Sequence, residues 1–186
     1  MARLTIDGYG QIELNRVSFP ITGRVIADLP LDAGFNAATP AENGMILAYD
    51  YAAGKVTLPT AEQIANGGAS YALHFTAEKE YDPQLPGLKN FKLVAGNFYP
   101  RLGILSVGDR FTTNTIDVGS FTNDATAKAA LANCATTAVY GIPGTTGAIT
   151  LSATLAGTEA VVLKAIKATT MPDTTYGVKF EVVKAQ

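Results

Sequence analysis

Prolines interrupt the first part of this 186-residue chain at a regular spacing. Pro20, Pro30 and Pro40 recur every ten residues. Each of them lacks the amide hydrogen that a helix interior requires, and each restricts the conformation of the residue before it. A continuous helix is therefore excluded at all three positions, and residues 30–40 are predicted to form an extended loop.

Several short segments alternate polar and apolar side chains, which is the period of a β-strand. Residues 11–17 alternate in this way and predict a strand with one solvated face, and residues 23–27 predict a second strand. Residues 45–51 and 55–58 flank the loop formed by residues 52–54, whose last residue is glycine, and predict a β-hairpin.

The next segment combines one helical turn with one strand. Residues 60–65 predict a turn of helix that ends at the two glycines 67 and 68. In residues 70–76, large apolar side chains alternate with small or polar ones, so this segment predicts a strand. Residues 82–101 contain three prolines and predict a long connection whose apolar side chains pack on the rest of the protein.

The composition changes near residue 100. Of the 22 threonines, 16 follow that residue, and the acidic residues fall from 10 before it to 6 after it. We therefore predict an N-terminal β-rich region over residues 1–100 and a compact β domain over residues 101–186, with one helix near residues 123–133. The expected fold class is mainly β with one short helix, in which extended N-terminal β segments precede an antiparallel β sandwich or barrel-like domain.

The pattern of the C-terminal region supports this division. Thr122 or Asn123 is placed to cap a helix over residues 124–132. Strands are expected in the segments that alternate or are rich in β-branched side chains. These segments are residues 110–116, 148–155, 161–169 and 176–182.

The charge of the chain excludes some classes of protein. With 14 basic and 16 acidic residues, the chain lacks the basic field that nucleic-acid binding requires. Thirty uncharged residues separate Lys128 from Glu159, but glycines and a proline interrupt them, so we expect strands and turns there and no membrane span. Asp7 and Gly8 interrupt the first residues before an apolar run of signal-peptide length can develop, so we expect no signal peptide there. Cys134 is the single cysteine, so the fold is independent of disulfides and fits assembly in a reducing cytoplasm.

No pattern in the chain predicts a catalytic residue, a cofactor or a metal ligand. His74 is the single histidine, and no nucleophile or carboxylate is placed beside it, so we expect it at the surface or in an interface. Cys134 is expected to be a buried, inert thiol. Glu78, Glu80 and Asp82 alternate along one edge and favour a solvated strand end over a cation site.

Two glycine-rich segments and one aromatic segment also lack the residues that their chemistry needs. Residues 141–147 lack the lysine of a phosphate-binding loop and predict a turn between strands. Gly8 and Gly10 lack the third glycine of a dinucleotide fingerprint. Residues 89–92 and 97–101 interleave basic and aromatic side chains, and a packed loop is favoured there over a surface that stacks on single strands.

Two segments of the C-terminal region carry a resemblance to a known family. Residues 105–114, LSVGDRFTTN, and residues 163–173, LKAIKATTMPD, followed by residues 178–180, resemble the small decoration, or cement, proteins of tailed-bacteriophage heads. In that family a compact β domain opens with a Gly-Asp turn and closes with a hairpin, and extended segments lie across the capsid. The resemblance covers residues 102–183.

The resemblance implies a structural protein of the virion with no enzymatic activity. Such a protein is made in the host cytoplasm, binds the outer surface of the capsid and bridges major capsid protein subunits. A homo-oligomer is expected, and a trimer would suit a position where capsid subunits meet by threes. The candidate capsid contacts are apolar residues of the N-terminal region, each of which would equally suit the core: Ile12, Leu14, Val17, Phe19 and Ile21. Exposed strand edges are further candidates for pairing with a neighbour.

Other roles stay open at this point. A tail-tube, neck or head-fibre-base component would also be a β-rich virion protein, although no long hairpin suited to lining a tube is evident. A surface carbohydrate-binding β module is a third candidate, against which the absence of tryptophan argues.

Overall fold

The structure is a computed structural model, and it describes Leu4 and residues 9–76, 91–172 and 174–185. The described chain is mainly β, with 36% strand against 12% helix, and it contains two sheets, one of which is curled into a half-barrel. This confirms the predicted fold class, a β-rich sandwich with little helix.

Twelve strands and three helices are found in the described residues. The strands are β1 Ile12–Arg16, β2 Val25–Ile26, β3 Ile46–Asp50, β4 Lys55–Thr57, β5 Ser70–His74, β6 Leu102–Gly103, β7 Arg110–Thr113, β8 Ile116–Asp117, β9 Tyr140–Pro143, β10 Ile149–Ser152, β11 Val162–Thr170 and β12 Tyr176–Lys184. The helices are α1 Phe19–Thr22, α2 Ala61–Asn66 and α3 Asp124–Ala132.

The strands form one seven-stranded and one five-stranded sheet. The larger sheet has the order β1-β7-β12-β11-β9-β10-β8, and the smaller has the order β2-β6-β5-β3-β4. All named pairs are antiparallel except β8 with β10. The two sheets do not follow the predicted boundary near residue 100. Strand β1 precedes the boundary but joins the sheet of β7 to β12, and β6 follows it but joins the sheet of β2 to β5. The division of the chain into residues 1–100 and 101–186 stays a prediction.

Two apolar clusters hold the layers together. The larger cluster draws on both sheets and includes Phe111 and Phe180, whose ring centroids lie 6.2 Å apart. The smaller cluster lies on the other side of the five-stranded sheet, where the segments around Phe35 and Leu93 cover Leu47 and Ala72. Burial of these side chains is the main apolar stabilisation of the fold.

Most predicted elements are found with close to the predicted bounds. The hairpin is β3 and β4, and Gly54 in its loop has φ 64°, a conformation that favours glycine. Helix α3 begins after Asn123, whose side chain accepts a hydrogen bond from the Thr126 amide, so Asn123 and not Thr122 is the cap. Helix α2 begins with a capping box in which Thr60 and Gln63 bind each other's backbone.

The turn after Ser18 is a helix that the sequence analysis did not predict. Pro20 lies in the first turn of α1, where the missing amide hydrogen has no intrahelical partner to lose. Gly23, at φ 70°, then ends the helix after four residues. The proline therefore permits a short helix here, even though it prevents a long one.

Three other expectations need correction. The predicted strand over residues 110–116 is divided at Asn114 into β7 and β8. The small face of β5, which carries His74, is buried, because Ala72 and His74 are as inaccessible as Tyr71 and Leu73. Phe98 and Tyr99 belong to the long connection and were expected to pack it against the rest of the protein, but both are exposed.

Polar side chains are buried where the two sheets meet, in a group that we call the polar seam: Glu42, Asn43, His74, Thr113, Asn114 and Thr115. The Asn114 side chain accepts from the Gln11 amide at 2.7 Å and donates to the Tyr9 carbonyl at 3.1 Å. The Thr115 hydroxyl donates to the Asn43 carbonyl at 2.7 Å. Buried polar groups are costly unless they are hydrogen-bonded, so these bonds fix how the N-terminal segment and the loop before β3 lie against β7.

Gly44 lies in the seam at φ 85°, and a Cβ atom there would overlap the Thr113 hydroxyl. We expect Gly44→Ala to lower the free energy of unfolding by about 1–2 kcal/mol for the left-handed backbone, plus about 1–3 kcal/mol for the overlap. Gly54→Ala is the matched control, because Gly54 has φ 64° and nothing within 4 Å of the added carbon. Urea unfolding of both variants measures the difference, and equal losses would contradict a tightly packed seam.

Candidate functional site

The part of the molecule best suited to binding a partner is the surface formed by β1, α1 and the turn over residues 106–109, which we call the β1–α1 surface. Ile21 is 89% exposed, Val107 is 67% exposed and Leu14 is 39% exposed. Strand β1 is the end strand of the seven-stranded sheet and pairs with β7. No described strand pairs with its other edge, and exposed apolar side chains beside such an edge are typical of an interaction surface.

Asp109 holds the parts of this surface together. Its carboxylate accepts hydrogen bonds from the Ser18 amide at 2.8 Å, the Ser18 hydroxyl at 3.2 Å and the Ser106 amide at 2.8 Å. Its own backbone carbonyl accepts from the Val182 amide at 2.9 Å. The side chain is buried, and bonds to an ionised acceptor are stronger than neutral ones. Asp109 therefore ties the start of α1 to the turn that carries Val107.

Arg24 makes a second link between the same two segments. Its guanidinium donates to the Ser106 hydroxyl at 2.8 Å. Ile21 and Val107 thus lie on segments that are joined on both sides, by Asp109 and by Arg24. The hydrogen bonds of Asp109 and Arg24 therefore fix the position of the two exposed side chains relative to each other.

The five candidate contact residues divide between surface and core. Leu14 and Ile21 are exposed, whereas Phe19 has no exposed surface and its ring centroid lies 4.8 Å from that of Phe75. Ile12 and Val17 are half-buried against the larger apolar cluster. Phe19 is therefore a core residue here, and a contact role for the other four stays a prediction.

A β-bulge explains why the side chains of β1 do not alternate simply. Glu13 lies opposite Thr112 and Arg16 lies opposite Arg110, so three steps along β1 correspond to two along β7. The extra residue changes which face the following side chains point to. As a result Ile12 and Val17 both pack toward the core, although they are five residues apart.

His74 is fully buried, which corrects the prediction of a surface or interface histidine. Its Nδ1 lies 2.8 Å from the Glu42 carbonyl oxygen, and its Nε2 lies 2.8 Å from the Thr76 hydroxyl. Because the carbonyl can only accept, Nδ1 carries the proton and Nε2 accepts from Thr76. Burial lowers the pKa of His74 to about 4, against a smaller opposing effect of Glu42. His74 is a structural member of the polar seam.

The other residues tested for chemistry have structural positions where they are described. Cys134 is a buried free thiol, as predicted, and burial raises its pKa. Gly144 to Gly147 form the turn between β9 and β10, as predicted, although Gly141 to Pro143 belong to β9. Glu78, Glu80 and Asp82 lie outside the described residues, as do Gly8 and residues 89 and 90.

The described residues also form a cavity of about 410 Å³ beside the loop before β3. Pro40, Met45 and Leu58 contribute apolar lining, and Glu42 and Lys92 contribute charge. The Lys92 ammonium lies 3.7 Å from one Glu42 carboxylate oxygen, and the other oxygen accepts from the Gly10 amide at 2.9 Å. Glu42 is thus already used to hold the N-terminal segment in place.

Val107 was not among the predicted contacts, and no sequence signal marks it. An apolar residue beside a Gly-Asp pair fits a buried turn as well as an exposed one. Its exposure follows from the Asp109 side chain, which turns inward to bind Ser18 and Ser106 and leaves Val107 outside.

Comparisons with known protein families, with curated proteins and with solved structures found no match. None of the helices in the described residues is long and apolar enough to cross a membrane.

The low pKa of His74 predicts a pH-dependent stability. An unfolded histidine titrates near 6.5, so between about pH 6.5 and pH 4 the unfolded chain binds a proton that the folded chain does not. The stabilisation is present above pH 6.5 and is lost as the pH falls toward 4. We expect the free energy of unfolding to be about 2 kcal/mol lower at pH 5 than at pH 7.

Urea unfolding at both pH values measures this loss. In His74→Gln, which cannot titrate, most of the loss between pH 7 and pH 5 should disappear, whatever the variant's absolute stability. A loss of the same size in the variant would assign the effect to other groups.

Proposed function

We propose that this chain is a non-enzymatic structural protein of a phage virion that binds the outer surface of the capsid and bridges major capsid protein subunits. The observation that carries the proposal is the β1–α1 surface, where Leu14, Ile21 and Val107 are exposed beside the end strand of a sheet. The resemblance of residues 102–183 to decoration proteins supplies the identity of the partner. In this function the protein acts in the virion, after synthesis in the host cytoplasm.

The chemistry of the surface suits a protein partner. Ile21 and Val107 are branched aliphatic side chains that contribute binding energy when water is removed from them. The segments that carry them are already joined by Asp109 and Arg24, so little conformational entropy is lost on binding.

The binding would stabilise the shell through linkage. A protein that binds the assembled shell, but not the separated subunits, adds its binding free energy to the interfaces that internal pressure strains. Many copies on a symmetric lattice give avidity, so a modest contact per copy is sufficient. No chemical step is required of any side chain.

Co-sedimentation with capsids that lack the protein is the direct test. We expect saturable binding and a higher temperature of shell rupture. Replacing both Ile21 and Val107 by lysine should lower the affinity at least about tenfold, because each apolar contact would become a desolvated charge.

The matched control is Tyr51→Lys, which changes a side chain that is 58% exposed in the β3–β4 loop, outside the β1–α1 surface. It should bind like the unchanged protein. Absence of binding to heads would overturn the proposal. Rings or tubes formed by the protein alone would then favour a tail or neck component, binding to fibres a head-fibre base, and binding to a glycan array a carbohydrate module.

A further inference from the structure

The free edge of β1 carries a charge pattern that is complementary to itself. Strand β1 pairs with β7 on one side, and no described strand pairs with its other side. An unpaired strand edge presents amide and carbonyl groups that another strand can bind. The side chains along the edge decide which strand fits.

The bulge places Glu13 and Arg16 on the same face of the sheet. Glu13 lies opposite Thr112 and Arg16 opposite Arg110, and these two β7 residues both point away from buried Phe111. Ile12 and Val17 point to the other face and pack against the core. The order along the edge is therefore apolar, acidic, two central residues, basic, apolar.

This order becomes self-complementary when the strand is reversed. In an antiparallel pair with a two-fold axis between Leu14 and Asn15, Glu13 lies opposite Arg16 of the second copy, and Ile12 lies opposite Val17 of the second copy. The symmetry makes each of these pairs twice. Every other register separates Glu13 from Arg16, and the two registers shifted by three residues place Glu13 opposite Glu13 or Arg16 opposite Arg16. Opposite charges in facing positions stabilise a strand pair, and like charges destabilise it.

The neighbouring charges favour an acidic group at this place. Within one copy Arg16 lies opposite Arg110, a pair of like charges, and Arg110 in turn binds Glu181 with 3.2 Å between Nη2 and Oε1. Neither Glu13 nor Arg16 forms an ion pair with another described residue. Glu13 of a second copy would give Arg16 an acidic neighbour on its other side, just as Glu181 does for Arg110.

We propose that β1 pairs with β1 of a second copy of this chain, so that two seven-stranded sheets join into one across a two-fold axis. The bulge makes the edge specific, because a bulged strand fits poorly against a regular one and meets an equivalent bulge in its own copy. The pairing occupies the β1 edge of each copy, so the assembly closes at two chains. The pairing uses the strand edge of the β1–α1 surface, and it does not require capsids, whereas the test of capsid binding changes Ile21 and Val107 outside that strand.

Sedimentation equilibrium over about 1 to 100 µM protein, without capsids, is the experiment. We expect a concentration-dependent species of twice the 19.4 kDa chain mass. Glu13→Arg and Arg16→Glu should each weaken the dimer at least about tenfold, because each turns two attractive pairs into two repulsive ones. The double variant with both changes should restore dimerisation, since it exchanges the charges and keeps their complementarity.

Two controls separate pairing from folding. Glu62→Arg makes the same change of charge on α2, outside the edge, and should leave the dimer unchanged. Amide hydrogen exchange in β1 should slow as the dimer forms, because its free edge becomes hydrogen-bonded, and thermal unfolding identifies any variant that has lost its fold. A monomer over the whole range, a trimer, a dimer insensitive to both single changes, or a double variant as weak as the single ones would each overturn the proposal.

Discussion

The buried polar seam is the constraint on which the rest of the structure depends. Thr113, Asn114 and Thr115 have no exposed surface, and their side chains bind the backbone of segments from a distant part of the sequence. Apolar contacts at this place would allow the two sheets to shift relative to each other, whereas a shift would break the buried hydrogen bonds and leave their polar groups without partners. The seam therefore fixes the register between the two sheets. By anchoring residues 9–11 it also directs the chain into β1, whose free edge and following helix form the candidate surface.

Histidine and glycine contribute to the same constraint in different ways. The His74 ring lies at the end of β5, and both of its nitrogens form hydrogen bonds within the seam. Gly44 allows the backbone to approach Thr113 more closely than any side chain would permit. Together they explain why this part of the chain contains polar residues in a protein whose charge content is low.

The local elements could be predicted from the sequence because their causes are local. The hairpin of β3 and β4, the cap of α3 and the alternation in β12 all depend on residues within a few positions of one another. The polar seam could not be predicted, since its partners are separated by up to about a hundred residues and threonine is equally common in exposed strands. The predicted surface position of His74 was wrong for a related reason. The small residues of β5 allow a second layer to pack closely on that face, and an alternating pattern does not distinguish a face covered by another layer from a face covered by solvent. Of the candidate contacts named from the sequence, each equally open to a core role, Leu14 and Ile21 are exposed and Phe19 is buried, whereas the exposure of Val107 required the three-dimensional structure.

The pairing of β1 with β7 has a consequence for the order in which the protein can be completed. Ile12 pairs with Thr113, and β7 itself is held on its other side by β12, which spans residues 176–184. During synthesis β1 emerges from the ribosome long before either strand exists, and contacts so distant in sequence form slowly. The edge that we assign to self-association is thus assembled only once nearly the whole described chain has been made. Neighbouring nascent chains on one messenger RNA would be protected from premature pairing by this delay.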